Sequence, residues 1–313
     1  MYILELRNVR KAYSKQVAVD NVSFSVRSGT IFGLLGPNGA GKTSTIRMIT
    51  GITRPDSGDI HIFGEPLEAG HQNKIGYMPE ERGLYRKLSV REQLEYLGAL
   101  KGLSPSVLKE RINYWLKRFE IENWSKKKTN ELSKGMQQKL QFIATILHDP
   151  ELLILDEPLS GLDPINAEII NDVIQEIRKE GRTILLSTHR MEQVEQLCDD
   201  IVLVNLGRVV LSGSVREVKR ASGRELISLA FTGSDAFVDE LDNYQLQVLE
   251  RHPYELLLQP KANFNVQRSL AFIAQHAEVR RWEFIEPPLK ELFLEAVTNQ
   301  GIKREPVMEG SLA

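Results

Sequence analysis

Residues 36–43 read Gly-Pro-Asn-Gly-Ala-Gly-Lys-Thr, a GxxxxGK[ST] pattern set between an apolar run, TIFGLLG, and a helix-like segment, TSTIRMIT, that stops at Gly51. That string constrains the fold more than any other in the chain. A strand, a glycine-rich turn and a helix in this order wrap backbone N–H groups around phosphates, and the helix adds its positive dipole end. Gly36, Gly39 and Gly41 permit the close wrapping, with Pro37, Asn38 and Ala40 between them. Lys42 supplies a point charge for the β and γ phosphates. Thr43, followed by Ser44, offers a hydroxyl to Mg²⁺, which a hydrocarbon side chain would not. The competing reading, a glycine-rich turn with an incidental lysine, does not account for the flanking strand and helix.

A second segment, Leu152-Leu153-Ile154-Leu155-Asp156-Glu157, is an apolar strand ending in two carboxylates. Strand alternation sends them to opposite sides: Asp156 toward the water shell of a bound magnesium ion, Glu157 toward the water that attacks phosphorus. By themselves two acids after a strand are equally well a solvated loop; the phosphate loop decides between the readings. ELLILDEP and RTILLSTH are almost wholly apolar, as strands buried on both faces of a parallel sheet are. The first ninety residues otherwise read as short alternating strands broken by Gly, Asn, Asp and Pro. Between about residues 85 and 135 the period becomes helical, with Leu94, Leu97, Leu100, Val107, Ile112, Trp115 and Leu116 separated by charge, which predicts a helical insert.

Composition removes several classes. Apolar residues make up 42% and charged residues 26%, as in ordinary globular proteins. Lys and Arg number 40 against 42 Asp and Glu, so no global positive field recruits nucleic acid. The single Cys198 excludes an intrachain disulfide framework and a multi-cysteine zinc site. The start MYILELRNVR does not read as a signal peptide, and no apolar stretch approaches ~18 residues, so the chain is expected neither to cross nor to enter a membrane alone.

After a predicted strand pair closing on Gly207, a charged linker is placed at residues 219–225. Residues 226–303 then read as strand, helix, strand, strand, helix, strand and a final helix. The first six elements match the split βαβ pattern of ferredoxin-like domains. The middle strands are expected to pair across His252 and Pro253, and residues 304–313 to form a flexible tail. The expected fold is α/β: a P-loop NTPase core over residues 1–218 with an N-terminal antiparallel β subdomain and the helical insert, then a small α+β accessory domain.

In this order the motifs resemble those of the ATP-binding subunits of ABC transporters, over roughly residues 1–220. Leu132-Ser133-Lys134-Gly135-Met136 is similar to that family's signature, usually LSGGQ. Ser133 is a good helix N-cap, so its hydroxyl and the helix end form an anion site. The resemblance implies that this end faces the γ-phosphate bound by an opposite subunit. It further implies that Tyr13 stacks on adenine, that Ser160-Gly161-Leu162-Asp163 is the loop by which two subunits sense each other, and that His189 reaches the γ-phosphate. Taken alone, Tyr13 reads as packing and His189 as a surface residue. In IGYMPEERGLY, Glu80 stands where the family usually has a glutamine that touches Mg²⁺; Glu81, or a solvated turn, are the other readings. A carboxylate binds Mg²⁺ but donates no hydrogen bond unless protonated.

The resemblance implies an ATPase with ATP and Mg²⁺ as cofactors, working as a homodimer or a paired subunit on separate membrane permease subunits, and peripheral at the cytoplasmic face of the membrane. YMPEERGLY, LSKGMQQKLQF and the C-terminal domain resemble bacterial exporters of the sodium-extrusion and drug-resistance type. The alternative class is a soluble ABC ATPase that acts as a regulatory switch, or on DNA or ribosomes. DNA-repair members carry long heptad coiled coils and ribosomal members two phosphate loops; this sequence shows neither.

Overall fold

The computed structural model describes residues 1–14, 16–81 and 83–302. The expected tail at 304–313, and residue 303 of the accessory domain, lie outside the described residues. The chain divides into two compact units, one ending at Val215 and one starting at Arg216.

In the first unit, β1 (Tyr2–Tyr13) and β2 (Gln16–Arg27) pair antiparallel. β3 (Ile31–Leu35) is buried at every position and leads through the glycine-rich loop into α1 (Lys42–Ile49). β4 (Ser57–Ile62) and β5 (Glu65–Pro66) extend the first pair into an antiparallel sheet of order β2-β1-β4-β5. β6 (Ile75–Met78) precedes the helical insert, α2 (Val90–Leu100) and α3 (Pro105–Arg118), and then comes α4 (Lys134–Ile146). There follow β7 (Leu152–Asp156), α5 (Pro164–Lys179), β8 (Thr183–Thr188), α6 (Met191–Leu197), β9 (Asp200–Asn205) and β10 (Arg208–Ser214).

The second sheet has order β10-β9-β3-β8-β7-β6, parallel except where β10 pairs antiparallel with β9. Its apolar strands are covered on both faces, as their sequences required. One core joins the two sheets through α1: Leu4, Leu6 and Val22 of the antiparallel sheet pack in the same cluster as Phe32, Leu34, Ile46 and Ile49. Since β3, β8 and β7 are parallel neighbours, their carboxyl ends open at one edge. In open α/β sheets ligands bind there.

Local chemistry sets the helix starts. Ser89 and Glu92 form a reciprocal capping box at α2, and Pro105 opens α3. Ser133 Oγ accepts from the Met136 amide at 3.3 Å and caps α4; Asp163 accepts from the Asn166 amide at 3.0 Å and caps α5. Cys198, after α6, is buried, and a Cβ on Gly33 of β3 would lie 3.2 Å from its Sγ. Among the described residues no helix is long and apolar enough to cross a membrane.

The segment from 215 is not an extended linker: α7 (Val215–Ala221) is helical, so residues 219–221 of the expected linker belong to a helix. Its Arg, Glu, Lys and Ala residues favour helix over an open tether. The second unit then contains β11 (Leu226–Gly233), a 3₁₀ segment (Ala236–Tyr244), β12 (Leu246–His252), β13 (Glu255–Pro260), α8 (Val266–His276), β14 (Ala277–Ile285) and α9 (Leu289–Ile302). The four strands form an antiparallel sheet of order β12-β13-β11-β14. Its core gathers Ile227, Leu229 and Phe231 of β11 with Phe237 and Leu241 of the 3₁₀ segment and Phe272 and Ile273 of α8. The hairpin turns one residue later than expected. His252 pairs with Glu255, which leaves Pro253 and Tyr254 as the loop, and Tyr254 takes the left-handed conformation at φ 65°.

Candidate nucleotide-binding site

At the carboxyl edge of β3, β8 and β7 a cavity of about 420 Å³ opens. Asn38, Gly39, Ala40, Gly41, Lys42, Thr43 and Ser44 line it, together with Tyr13, Glu80, Asp156 and Glu157. Two glycines make the turn possible. A Cβ on Gly36 would fall 2.2 Å from the Val204 carbonyl oxygen, and one on Gly41, at φ 107°, 2.3 Å from that of Ala18. No side chain fits either place. The chain therefore wraps tightly enough to aim the first N–H groups of α1 into the cavity.

Lys42 is 7% exposed; its Nζ donates to the Gly36 carbonyl at 2.7 Å and the Pro37 carbonyl at 3.2 Å. Burial lowers its pKa, while Glu157, Asp156 and Glu80 act in the opposite direction. The ammonium therefore sits in a nest of negative groups, held against the loop that it serves.

Asp156 ends β7 with its carboxylate bound on both sides. Ser187 Oγ donates to Oδ1 at 2.7 Å, and Thr43 Oγ1 to Oδ2 at 3.2 Å. Burial raises its pKa, and the two hydroxyls oppose that shift. The pairing of Thr43 with Asp156 ties the loop of one strand to the end of another.

Glu157 follows the end of the strand. The strand stops at Asp156, and Glu157 takes φ 50°, a conformation rare for a side chain of this kind. Its N–H bonds to the Ser187 carbonyl at 2.9 Å, so the turn is held against β8. Asp156 meets Ser187 and Glu157 meets Thr188, successive residues of β8, and both acidic residues line one cavity. Glu157 Oε1 accepts from the His189 amide at 3.1 Å and lies 2.6 Å from His189 Nδ1; Thr188 Oγ1 donates to Oε2 at 3.3 Å. His189 itself is half exposed.

The other expected residues stand elsewhere. Ser133, Lys134, Gly135 and Met136 begin α4 and do not line the cavity. Gly135 lies against the Ser160–Asp163 loop: a Cβ there would stand 3.4 Å from a Leu162 methyl and 3.7 Å from the Gly161 carbonyl oxygen. Those two motifs thus meet each other in one chain. Gln16 and Ala18 of β2 line the cavity without having been expected to. Their place follows from sheet register, which brings the Ala18 carbonyl of β2 against Gly41.

Mg²⁺ takes hard oxygen ligands and usually binds one or two carboxylates plus substrate phosphates. The Thr43 hydroxyl, the Asp156 carboxylate and the Glu80 carboxylate are such a set. Among the described residues no group of three or more His, Cys, Asp or Glu is arranged to hold a metal.

A tight loop of amides on a helix end, a buried lysine and a carboxylate hydrogen-bonded to the loop threonine define a nucleoside-triphosphate site of the ATPase class. A family model described as ABC transporter matches residues 19–160. An "Uncharacterized ABC transporter ATP-binding protein YhaQ" of Bacillus subtilis (strain 168) is 40% identical over 296 residues, 94% of this chain and 98% of the relative. The "Linearmycin resistance ATP-binding protein LnrL" of the same organism is 33% identical over 302 residues, 93% of this chain and 97% of its own. A solved structure of an ATP binding subunit of an ABC transporter has 33% identity and a TM-score of 0.67, covering 71% of this chain and 93% of that one. The chain belongs to the ATP-binding proteins of ABC transporters. It is an ATP-binding subunit that hydrolyses ATP.

Proposed function

We propose that this chain powers export through separate membrane permease subunits, as two copies that close over two ATP molecules. One spatial fact carries the reading: the phosphate loop, Asp156 and Glu157 line one cavity, whereas the Ser133 end of α4, itself suited to an anion, is not among its walls. The phosphate that this end would hold belongs to the partner copy.

In this reading Tyr13 stacks on adenine, and residues 36–44 bind the phosphates. Mg²⁺ would be held by Thr43, Asp156 and Glu80 and would neutralise phosphate charge there. Glu157 takes a proton from the attacking water, and His189, bonded to Glu157, orients that carboxylate and reaches the γ-phosphate. The Ser160–Asp163 loop, resting on Gly135, passes the state of one site to the other copy. Hydrolysis removes the shared γ-phosphate and the pair reopens.

The reading is of an exporter of the sodium-extrusion or drug-resistance kind, peripheral at the cytoplasmic membrane face; the name of the linearmycin-resistance relative supports the drug-resistance part alone. We assign residues 1–218 to the ATPase domain with its insert at about 85–135, 219–225 to the connection and 226–303 to a ferredoxin-like accessory domain. The strand order β12-β13-β11-β14, in which the first strand lies between the third and the fourth, supports the last assignment. The test is recovery of a tagged Glu157→Gln chain with ATP and Mg²⁺ from a detergent extract of its own cells. A polytopic membrane protein is expected at stoichiometric yield; ribosomes or DNA in its place would reject export.

A further inference from the structure

Two glutamines one turn apart on α4 point inward. Gln138 is 2% and Gln141 5% exposed, and positions three apart share a helix face. Gln138 Nε2 donates to the carbonyls of Pro158 at 2.9 Å and Glu157 at 3.4 Å. Gln141 Nε2 donates to those of Pro79 at 2.8 Å and Glu81 at 3.3 Å. The second pair brackets Glu80. An amide NH₂ carries two protons and spans two acceptors, which a hydroxyl or a carboxylate does not. Since Pro79 and Glu81 offer only carbonyl oxygens, the amide is fixed with its nitrogen toward them; its Oε1 is buried without a partner.

Glu80 and Glu157 each lie two residues past Met78 and Leu155, the last pair between the neighbouring parallel strands β6 and β7, so the ladder registers the two strands but not the path of either loop beyond it. One rigid helix face holds both backbones. We propose that Gln141 is a positioning residue for ATP hydrolysis: it clamps the two carbonyls beside Glu80 and so fixes where that carboxylate stands relative to Glu157, whose turn Gln138 holds from the same face. This rests on the reading of Glu80 as a residue that faces the metal and the phosphates.

The test replaces Gln141 with methionine, unbranched and similar in length, which removes both donors while keeping helix propensity. Mn²⁺ is titrated into the full-length protein saturated with a non-hydrolysable ATP analogue, and free Mn²⁺ is followed by paramagnetic resonance. Losing two buried hydrogen bonds is expected to weaken Mn²⁺ binding about tenfold. Analogue affinity without metal should stay within about twofold, and amide exchange at Glu80 and Glu81 should quicken. Gln141→Leu, neutral, a good helix former and without donors, gives the same readings if the methionine variant does not fold. Glu80→Gln separates the two ideas. Unchanged Mn²⁺ affinity in Glu80→Gln overturns the role of Glu80. Weakened affinity there, with wild-type Mn²⁺ affinity and wild-type exchange in Gln141→Met, overturns the clamp.

Discussion

Glutamine at position 157 separates charge from shape. The carboxylate has three contacts: Oε1 with the His189 amide at 3.1 Å and with His189 Nδ1 at 2.6 Å, and Oε2 with Thr188 Oγ1 at 3.3 Å. A glutamine amide keeps this pattern, with its oxygen toward His189 and its NH₂ donating to the threonine hydroxyl, which also accepts. The fold should therefore survive, and the melting temperature should move little. What is lost is a proton acceptor beside the phosphates. A positioned base contributes typically 10²–10⁴-fold, so hydrolysis should slow by at least about 100-fold, equivalent to ~2.7 kcal/mol of barrier. ATP binding should not weaken, because a negative charge near the phosphates is removed while Lys42 and the amide cradle remain. The assay is single-turnover hydrolysis of γ-labelled ATP alongside equilibrium binding, with sedimentation to detect an ATP-held dimer. A single-turnover rate within about threefold of wild type would refute the assignment of Glu157 as base.

Gly41→Ala places a Cβ 2.3 Å from the Ala18 carbonyl oxygen at φ 107°, so nucleotide affinity should fall by more than about tenfold in equilibrium dialysis, with a lower melting temperature; an alanine variant that binds normally would contradict the tight-wrap account. Asp156, with its pKa raised by burial, favours the protonated carboxyl in the fold, so its contribution to stability is present in acid and lost as pH rises through the raised value. Asp156→Asn should therefore be the more stable protein without nucleotide at neutral pH, by an advantage that vanishes in acid, while losing Mg²⁺-dependent hydrolysis; equal melting curves at both pH values would count against it. Burial, followed by the charge of Lys101, pushes the His148 pKa down to about 4. Neutral His148 is compatible with the fold and its cation is not, so stability present above its ordinary value of 6.5 should drain away as pH falls toward 4. His148→Gln should flatten that decline in urea unfolding, and an unchanged slope would assign it to other groups.

The parts of this molecule legible in its sequence are those where backbone geometry and residue type are locked together. The phosphate loop is one, since only glycine fits at 36 and 41; the apolar strands β7 and β8 are another, since nothing but burial on two faces suits them. Glu157 marks the limit. Alternation separates its role from that of Asp156, but the left-handed turn held by the Ser187 carbonyl is not visible in the sequence. Gln138 and Gln141 were hidden for a related reason. Hydrophobic periodicity assigns polar residues of an amphipathic helix to solvent, and these two are buried because backbone carbonyls from distant loops meet them. Likewise the charged stretch after Val215 reads as a tether, although its propensities already favoured the helix that forms. Gln16 and Ala18 gave no signal, because their place in the cavity wall comes from sheet register, which becomes visible only once Gly41 is seen against Ala18.

Cys198 has a practical consequence for watching this motor move. It is the one cysteine in 313 residues, it is packed beside Gly33, and burial raises its pKa, so very little thiolate is present for a maleimide or a nitroxide reagent. Most proteins must be stripped of native thiols before probes are attached, with the risk that the stripping alters them. Here a cysteine introduced at an exposed position such as Ile165 would be the only reactive one on the wild-type background. Distances between two such probes, one on each copy, could be recorded with ATP, during turnover and after release in an otherwise unaltered chain.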